Sequence, residues 1–397
     1  MEFVFMDWIE LLLRWTHVIV GIAWIGSSFF FVWLDLSLRK RDGADEAVQG
    51  EAWIVHGGGF YFMEKYLNAP ERMPAELHWF KFEAYFTWIT GFLLMAVIYY
   101  LGAESFLIDP SVRDLSPGEA IGISLAFLAG GWIVYDLLCR SPIGNNTLVL
   151  AISVLVLTVG SAYIFSEVFS GRGAYVHAGA AIGTIMAANV FFIIIPNQKK
   201  TVAALIAGEV PDAKWGGQAK QRSLHNNYLT LPVILMMISS HYPMTYGHEY
   251  SWVIFGVVVI LGGVIRDFFN THNAGGHGMA IAWQWPVSVL LVLGLIWFTA
   301  PAASDSANDE DVIEETQAFA IVQTRCISCH SQKPSNPDFE KAPGGLKFDT
   351  LAEVRKATSR ILAQTVLAKT MPLGNVTEMT DEERRKLGQW IRAGAPE

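Results

Sequence analysis

Arg325-Cys326-Ile327-Ser328-Cys329-His330 carries the spacing Cys-x-x-Cys-His. Two thiols so placed can add to the vinyl groups of a c-type haem, and the imidazole that follows can reach its iron. A zinc or redox thiol pair needs no adjacent His. The chain has only three cysteines, so no second thiol pair exists to complete a zinc site. Downstream, Met371-Pro372-Leu373-Gly374-Asn375 presents a thioether held by a Pro after a helical run, the expected second axial ligand, with Met379 as the alternative. His330 and Met371 together fill both axial positions and raise the potential, which points to electron carriage rather than oxygen binding. Around this motif, residues 312–397 read as a class I type cytochrome c domain. A helix leads to the motif, a loop holds Pro334, Pro337 and Pro343, and a helix runs over Leu351–Lys369. The last helix opens with Thr380 and Glu383 as a capping box, and its Trp390 and Ile391 are expected to face the haem.

Upstream the composition changes. Residues 301–311, from Pro301 through Asp305, Asp309 and Asp311, are small and acidic and read as a solvated linker. Before it lies an apolar domain, residues 1–300. The whole chain of 397 residues is 52% hydrophobic and 16% charged, where a soluble protein carries about 25% charged residues. The formal net charge of −9 argues against nucleic acid as a partner and leaves the lipid bilayer as the main one. Eight runs have roughly the 20 residues needed to cross a bilayer: 10–34, 80–101, 119–138, 147–166, 175–195, 227–240, 250–268 and 281–299. The expected fold is therefore all-α, an eight-helix transmembrane bundle followed by the cytochrome domain. Glu2, Asp7 and Glu10 take the place of a basic signal region, so the first helix is expected to act as its own uncleaved signal. Cys139, alone at the end of a helix, reads as an inert packing residue.

Basic residues set the orientation. Loops after odd-numbered helices hold eleven, among them Arg39, Lys40, Arg41, Lys199, Lys200, Lys214, Lys220 and Arg222, against Arg113 and Arg172 alone in the loops after helices two, four and six. The positive-inside rule then places both termini, and the cytochrome domain, outside the cytoplasm. Bacteria attach c-type haem in the periplasm, so the two arguments agree on an inner-membrane protein.

The bundle also carries signs of a repeat. His17 precedes Arg39-Lys40 by 22 residues and His177 precedes Lys199-Lys200 by 22. His78 and His225 open helices two and six, and Gly130-Gly131 and Gly262-Gly263 precede Asp136 and Asp267. Two tandem four-helix halves, about 1–168 and 169–300, are expected, related by an axis along the membrane normal.

Ionisable groups at membrane depth mark functional sites by default. His17 and His177, facing across the bundle, are candidate iron ligands for a haem b. They are equally candidates for lining a substrate cavity, or for helix-end residues bonded to a carbonyl. His225-Asn226-Asn227-Tyr228 and His241-Tyr242-Pro243 bracket helix six. His225, Asn226, Tyr228 and His241 are candidate catalytic residues there, since Asn amides suit a flat heterocycle with alternating carbonyl and N–H groups. Paired Asn can instead be helix caps, and Arg266 with Asp267 reads as a helix-end ion pair.

Three segments together resemble the membrane-bound, cytochrome c-containing bacterial urate oxidase (urate hydroxylase) family: Arg14-Trp15-Thr16-His17-Val18-Ile19-Val20-Gly21-Ile22-Ala23-Trp24-Ile25-Gly26, His225-Asn226-Asn227-Tyr228-Leu229 with His241-Tyr242-Pro243, and the haem motif with Met371-Pro372. The resemblance implies oxidation of urate to 5-hydroxyisourate. Electrons would pass to the fused haem c and on to a periplasmic cytochrome c or a terminal oxidase. It carries the haem ligands onto Cys326, Cys329, His330 and Met371 and assigns no residue to the urate site. The rival readings are an electron-transfer subunit serving a quinone or partner dehydrogenase, and a transporter with a tethered cytochrome.

Overall fold

The computed structural model describes residues 2–43, 45–66, 70, 73–300, 313–337, 339–367 and 369–396. The expected linker, 301–311, lies outside them. The N-terminal part is built from α1 (Glu2–Ser37), a hairpin of β1 (Val48–His56) and β2 (Gly59–Tyr66), α2 (Phe82–Met95), α3 (Pro117–Arg140), α4 (Thr147–Ser166), α5 (Gly171–Ala188), α6 (Ile195–Ile206), α7 (Ala213–Ser239), the short α8 (Pro243–Tyr246), α9 (Ser251–Asn273), the short α10 (Met279–Ala282) and α11 (Gln284–Thr299). Local sequence explains the starts. Ser116 caps α3 in a capping box with Glu119, with Pro117 at the first helical position. Asn146 caps α4, Ser170 caps α5 and Asp212 caps α7, each side-chain oxygen accepting from a backbone N–H with no partner inside the helix. One π-helical turn, Ala96–Tyr100, extends α2, and another, Asn189–Ile194, joins α5 to α6.

Seven helical stretches among the described residues are long and apolar enough to cross a membrane: Phe5–Ser37, Phe82–Tyr100, Pro117–Arg140, Thr147–Ser166, Gly171–Ile206, Ser251–Asn273 and Met279–Thr299. Eight were expected. The expected sixth span, 227–240, is the C-terminal half of α7, which begins at Ala213 with a polar first half. Its mean hydropathy is diluted by that half, and it is packed inside the bundle against α5, α6 and α9. The hairpin was not expected either. It lies in the connection after α1, with Trp53 opposite Phe62 and their rings 4.8 Å apart.

Packing pairs α1 with α2 and α5 with α7, and sets α3 against α5 and α9 against α1. Where α7 crosses α9, Gly262 makes room for Pro232, since a Cβ there would stand 2.6 Å from the proline Cδ. Its expected counterpart pair, Gly130-Gly131, meets nothing within 4 Å. Gly263 likewise meets nothing, so Gly262 alone of the four makes a close helix crossing.

The C-terminal unit holds α12 (Glu315–Arg325), α13 (Leu351–Lys356), α14 (Thr358–Ile361) and α15 (Asp381–Arg392). The single helix expected over 351–369 is broken at Ala357, followed by a π-helical turn at Leu362–Leu367. The core gathers Ala318, Val322, Val354, Ile361, Met379, Leu387 and Trp390, with Cys326 and Ile391 packed against it. Thr380 and Glu383 form the expected capping box.

Candidate functional site

A cavity of about 820 Å³ runs between α1, α2, α5 and α7. Chain direction gives it two ends. Asp35, near the end of α1, and His78, before α2, mark the end that carries the hairpin. Arg14 on the first half of α1, Arg172 at the start of α5 and His241 just past α7 mark the opposite end. The C-terminal unit sits on this second end, packing against the turn Ala103–Leu107 and against α8.

His17 lines the cavity between the two ends. Its Nδ1 lies 3.0 Å from the Thr87 carbonyl oxygen and 3.2 Å from Thr90 Oγ1. A carbonyl only accepts, so Nδ1 carries the proton and Nε2 keeps its lone pair. Gly91 allows this fit, because a Cβ there would stand 2.7 Å from His17 Cε1.

Two arginines stand at the second end. Arg14 pairs with Glu10, one helical turn away. Arg172 has no carboxylate within ion-pair distance among the described residues, and its buried Nε has no hydrogen-bond partner. Its guanidinium sits 5.8 Å from the Phe106 ring and beside the Tyr99 hydroxyl. In the sequence Arg172 is one of two basic residues on its side, and the lack of an acidic neighbour within a turn is its one signal.

The other expected site residues divide. Asn226 lines the cavity, but its amide is engaged: Nδ2 donates to Met186 O at 2.9 Å and Oδ1 accepts from Asn189 Nδ2 at 3.0 Å. Neither Asn226 nor Asn227 is a cap, because α7 starts well before them. His241 lines the cavity at its second end. His177 does not line it. It is fully buried, donates from Nδ1 to Gly173 O at 2.7 Å, and lies among the rings of Tyr99, Tyr100, Phe165 and Phe169 with Nε2 unpartnered. His17 thus lines the cavity, while His177, its Nε2 enclosed by aromatic rings, does not.

His225 also stands apart from the cavity. Tyr135 OH accepts from Asn189 Nδ2 at 3.0 Å and is hydrogen-bonded to His225 Nδ1 at 2.6 Å. Beside it, Arg222 stacks over the Tyr135 ring at 4.9 Å and donates to Asp136 Oδ1 at 2.7 Å, while Arg140 takes Oδ2 at 2.6 Å. Arg222, read from sequence as a loop residue, is only 2% exposed. Lys199, Lys200, Lys214 and Lys220 also sit on helices, α6 and α7, rather than in a loop. Tyr228 donates to Asp267 Oδ1 at 3.1 Å, and Gln284 donates to Oδ2 at 2.9 Å. The expected Arg266–Asp267 pair is not made. Arg266 instead donates to Asn270 at 3.1 Å and to Asn227 at 3.4 Å and lies 4.0 Å over the Phe29 ring.

In the C-terminal unit, Cys326 and Cys329 are free, half-buried thiols. Burial pushes the Cys326 thiol up to about 12, opposite to the lowered value of a reactive redox thiol. His330 Nδ1 lies 3.0 Å from Leu346 O, so Nδ1 is protonated and the Nε2 lone pair is left for a metal, the usual arrangement of a ligating imidazole. No group of three or more His, Cys, Asp or Glu gathers as a metal site among the described residues. These donors fit a covalently held haem c and do not fit zinc. Met371 is half-buried while Met379 is 3% exposed within the core.

No curated protein and no solved structure matches the chain. Residues 3–300, about three quarters of it, match the family described as "Urate oxidase N-terminal". The chain belongs to that urate oxidase-related family.

Proposed function

We propose that this chain oxidises urate to 5-hydroxyisourate in the cavity between α1, α2, α5 and α7, as a bacterial inner-membrane protein whose C-terminal unit is a periplasmic cytochrome c. The family match over residues 3–300 carries the substrate. Arg172, which has no carboxylate within ion-pair distance among the described residues and lines the same cavity as Arg14, carries the location, since urate is usually a monoanion and a guanidinium recognises a planar anion well. The clustering of Arg39, Lys40, Arg41, Lys65, Lys199 and Lys200 toward the hairpin end supports a cytoplasmic position for that end.

Counted from neutral urate, whose first proton is already lost in the monoanion, urate and water give 5-hydroxyisourate, two protons and two electrons. His17 suits the proton work. Its orientation is fixed by Thr87, and Nε2 is the free acceptor, as a general base requires. Arg172 and Arg14 hold the anion and favour the loss of its proton within the cavity. A haem c held by Cys326, Cys329, His330 and Met371 would supply a one-electron acceptor, used twice per urate and emptied into a periplasmic cytochrome c or terminal oxidase.

The test is an anaerobic visible spectrum of the purified, oxidised protein before and after urate. Growth of a reduced c-type band with urate alone is expected. Reduction by dithionite but not by urate would sink the self-contained oxidase. It would favour the second reading, an electron-transfer subunit fed by a quinone or partner dehydrogenase.

A further inference from the structure

The C-terminal unit meets the bundle through the turn that follows Met371. Leu373–Asn375 packs against Ala103–Leu107, and Leu362–Leu367 packs against α8. At the centre of the contact is Gly374, where a Cβ would stand 2.7 Å from the Glu104 carbonyl oxygen and 3.7 Å from Ser105 Cα. That closeness is backbone against backbone, so no side-chain rotation can relieve it. The turn is also fixed from within its own domain. Arg384, 5% exposed, donates to the carbonyls of Met371 and Thr365 and to Asn375 Oδ1 at 3.1 Å. On the bundle side, the receiving turn is tied to the cavity. Ser170 Oγ donates to Phe106 O at 2.7 Å, Ser170 N donates to Leu107 O at 2.9 Å, and Phe106 lies under Arg172. Gly171, next to Arg172, lies against the Tyr246 carbonyl of α8, where a Cβ would come within 2.6 Å. Arg172 therefore stands between the cavity and both patches on which the C-terminal unit rests.

We propose that this fixed contact, Leu373–Asn375 on Ala103–Leu107, is the electron exit of the bundle, and that the C-terminal unit works docked rather than swinging on its linker. The proposal rests on the urate-oxidising reading for the source of electrons. Each urate gives up two electrons, one at a time, across this contact, and its two protons leave separately through the cavity. A haem c held by Cys326, Cys329, His330 and Met371 would be the oxidant, restored by the external one-electron acceptor.

The geometry supplies its own control. Gly374 (φ +57°) and Gly344 (φ +60°) are both left-handed, but a Cβ on Gly344 meets nothing within 4 Å. Gly374→Ala and Gly344→Ala thus impose similar backbone strain, and only the first collides with the bundle. Two readouts are taken on the intact, haem-loaded protein. One is hydrogen exchange of the backbone amides over 103–107 and 243–246, which requires no turnover. The other is the single-turnover rate of haem reduction by urate beside that by ascorbate, which reaches the haem from solution. Gly374→Ala is expected to speed exchange in both segments and to slow urate-driven reduction at least tenfold. Ascorbate reduction should be unchanged, and Gly344→Ala should match the unaltered protein throughout. Faster exchange with an unchanged urate-driven rate would overturn the exit, and unchanged exchange would overturn the docking. If urate fails to reduce the unaltered protein, the proposed activity and the exit fall together, while the exchange result still decides whether the unit is docked.

Discussion

The imidazole of His17 is seated against Gly91, on the neighbouring helix, so closely that the glycine position has no room for a methyl group: a Cβ there would lie 2.7 Å from Cε1. The same turn of α2 supplies Thr87, whose carbonyl fixes the ring through Nδ1. Gly91→Ala is therefore expected to rotate His17 off Thr87 while leaving the helix in place, since Ala is the better helix former. Misplacement of a catalytic group by about 1 Å costs on the order of 10²-fold. The expected result is a loss of about that size in kcat/KM for urate with an unchanged melting temperature. A wild-type rate would remove His17 from the mechanism.

Arg172 has no carboxylate within ion-pair distance among the described residues, so its charge is available to a ligand. Arg172→Leu is expected to raise KM for urate about tenfold or more, because a hydrogen bond to a charged group contributes about 1.5–3 kcal/mol. Arg172→Lys should recover only part of this, since an ammonium cannot reproduce the planar fork. Steady-state kinetics with a reduced-haem readout would measure both. Equal effects of Leu and Lys on kcat, with KM untouched, would argue for a structural role.

His225 is expected to behave differently from His17. Its Nδ1 is taken by Tyr135, which Asn189 and the Arg222 guanidinium hold in turn, and it does not line the cavity. Arg222→Met would leave Asp136 with Arg140 alone, and losing one hydrogen bond to a charged group costs about 1.5–3 kcal/mol. The expected outcome is a lowered melting temperature, with the folded fraction still reduced by urate. Loss of urate-driven reduction at full stability would move the chemistry to this cluster.

Periodicity and hydropathy made much of this legible. The apolar runs located seven spans, and the capping residues Thr380 and Glu383 marked a helix start in the expected place. The errors share a cause: hydropathy sees burial in lipid but not burial in protein. It began helix six at residue 227, because the amphipathic first half of α7 hides its apolar face among charges, and it therefore read Arg222 as solvated. It gave no sign of the hairpin, whose strands lie in a connection already assigned as loop. The cavity was legible only in part. His17, Asn226 and His241 reach it from expected motifs. Arg172 and Gly91 matter through what lies beside them in space, and spacing along the chain does not record that.

The ion pair of Arg325 with Glu383 ties the helix entering the Cys326–His330 stretch to α15. Arg325 Nε donates to Glu383 Oε1 at 3.0 Å, and Nη2 lies 3.0 Å from the same oxygen. Burial pushes the Glu383 carboxyl up. The Thr380 backbone N–H, the Arg325 guanidinium and the Thr380 hydroxyl together outweigh it, so the carboxyl titrates below its ordinary value. A carboxyl depressed in the folded state contributes stability that is present above the unfolded value of roughly 4.3 and is lost as pH falls through the lower folded value. Both side chains are about a quarter exposed, so the contribution is screened and of order 1 kcal/mol. Glu383→Gln is thus expected to lower the stability of the C-terminal unit by about that amount at pH 7. Once the pH has fallen below the lowered folded value the difference should vanish, because the native carboxyl is then protonated as well. Denaturant titrations followed at the haem band across this range would show the two curves converging, and a constant gap down to low pH would assign the effect to the capping hydrogen bonds instead.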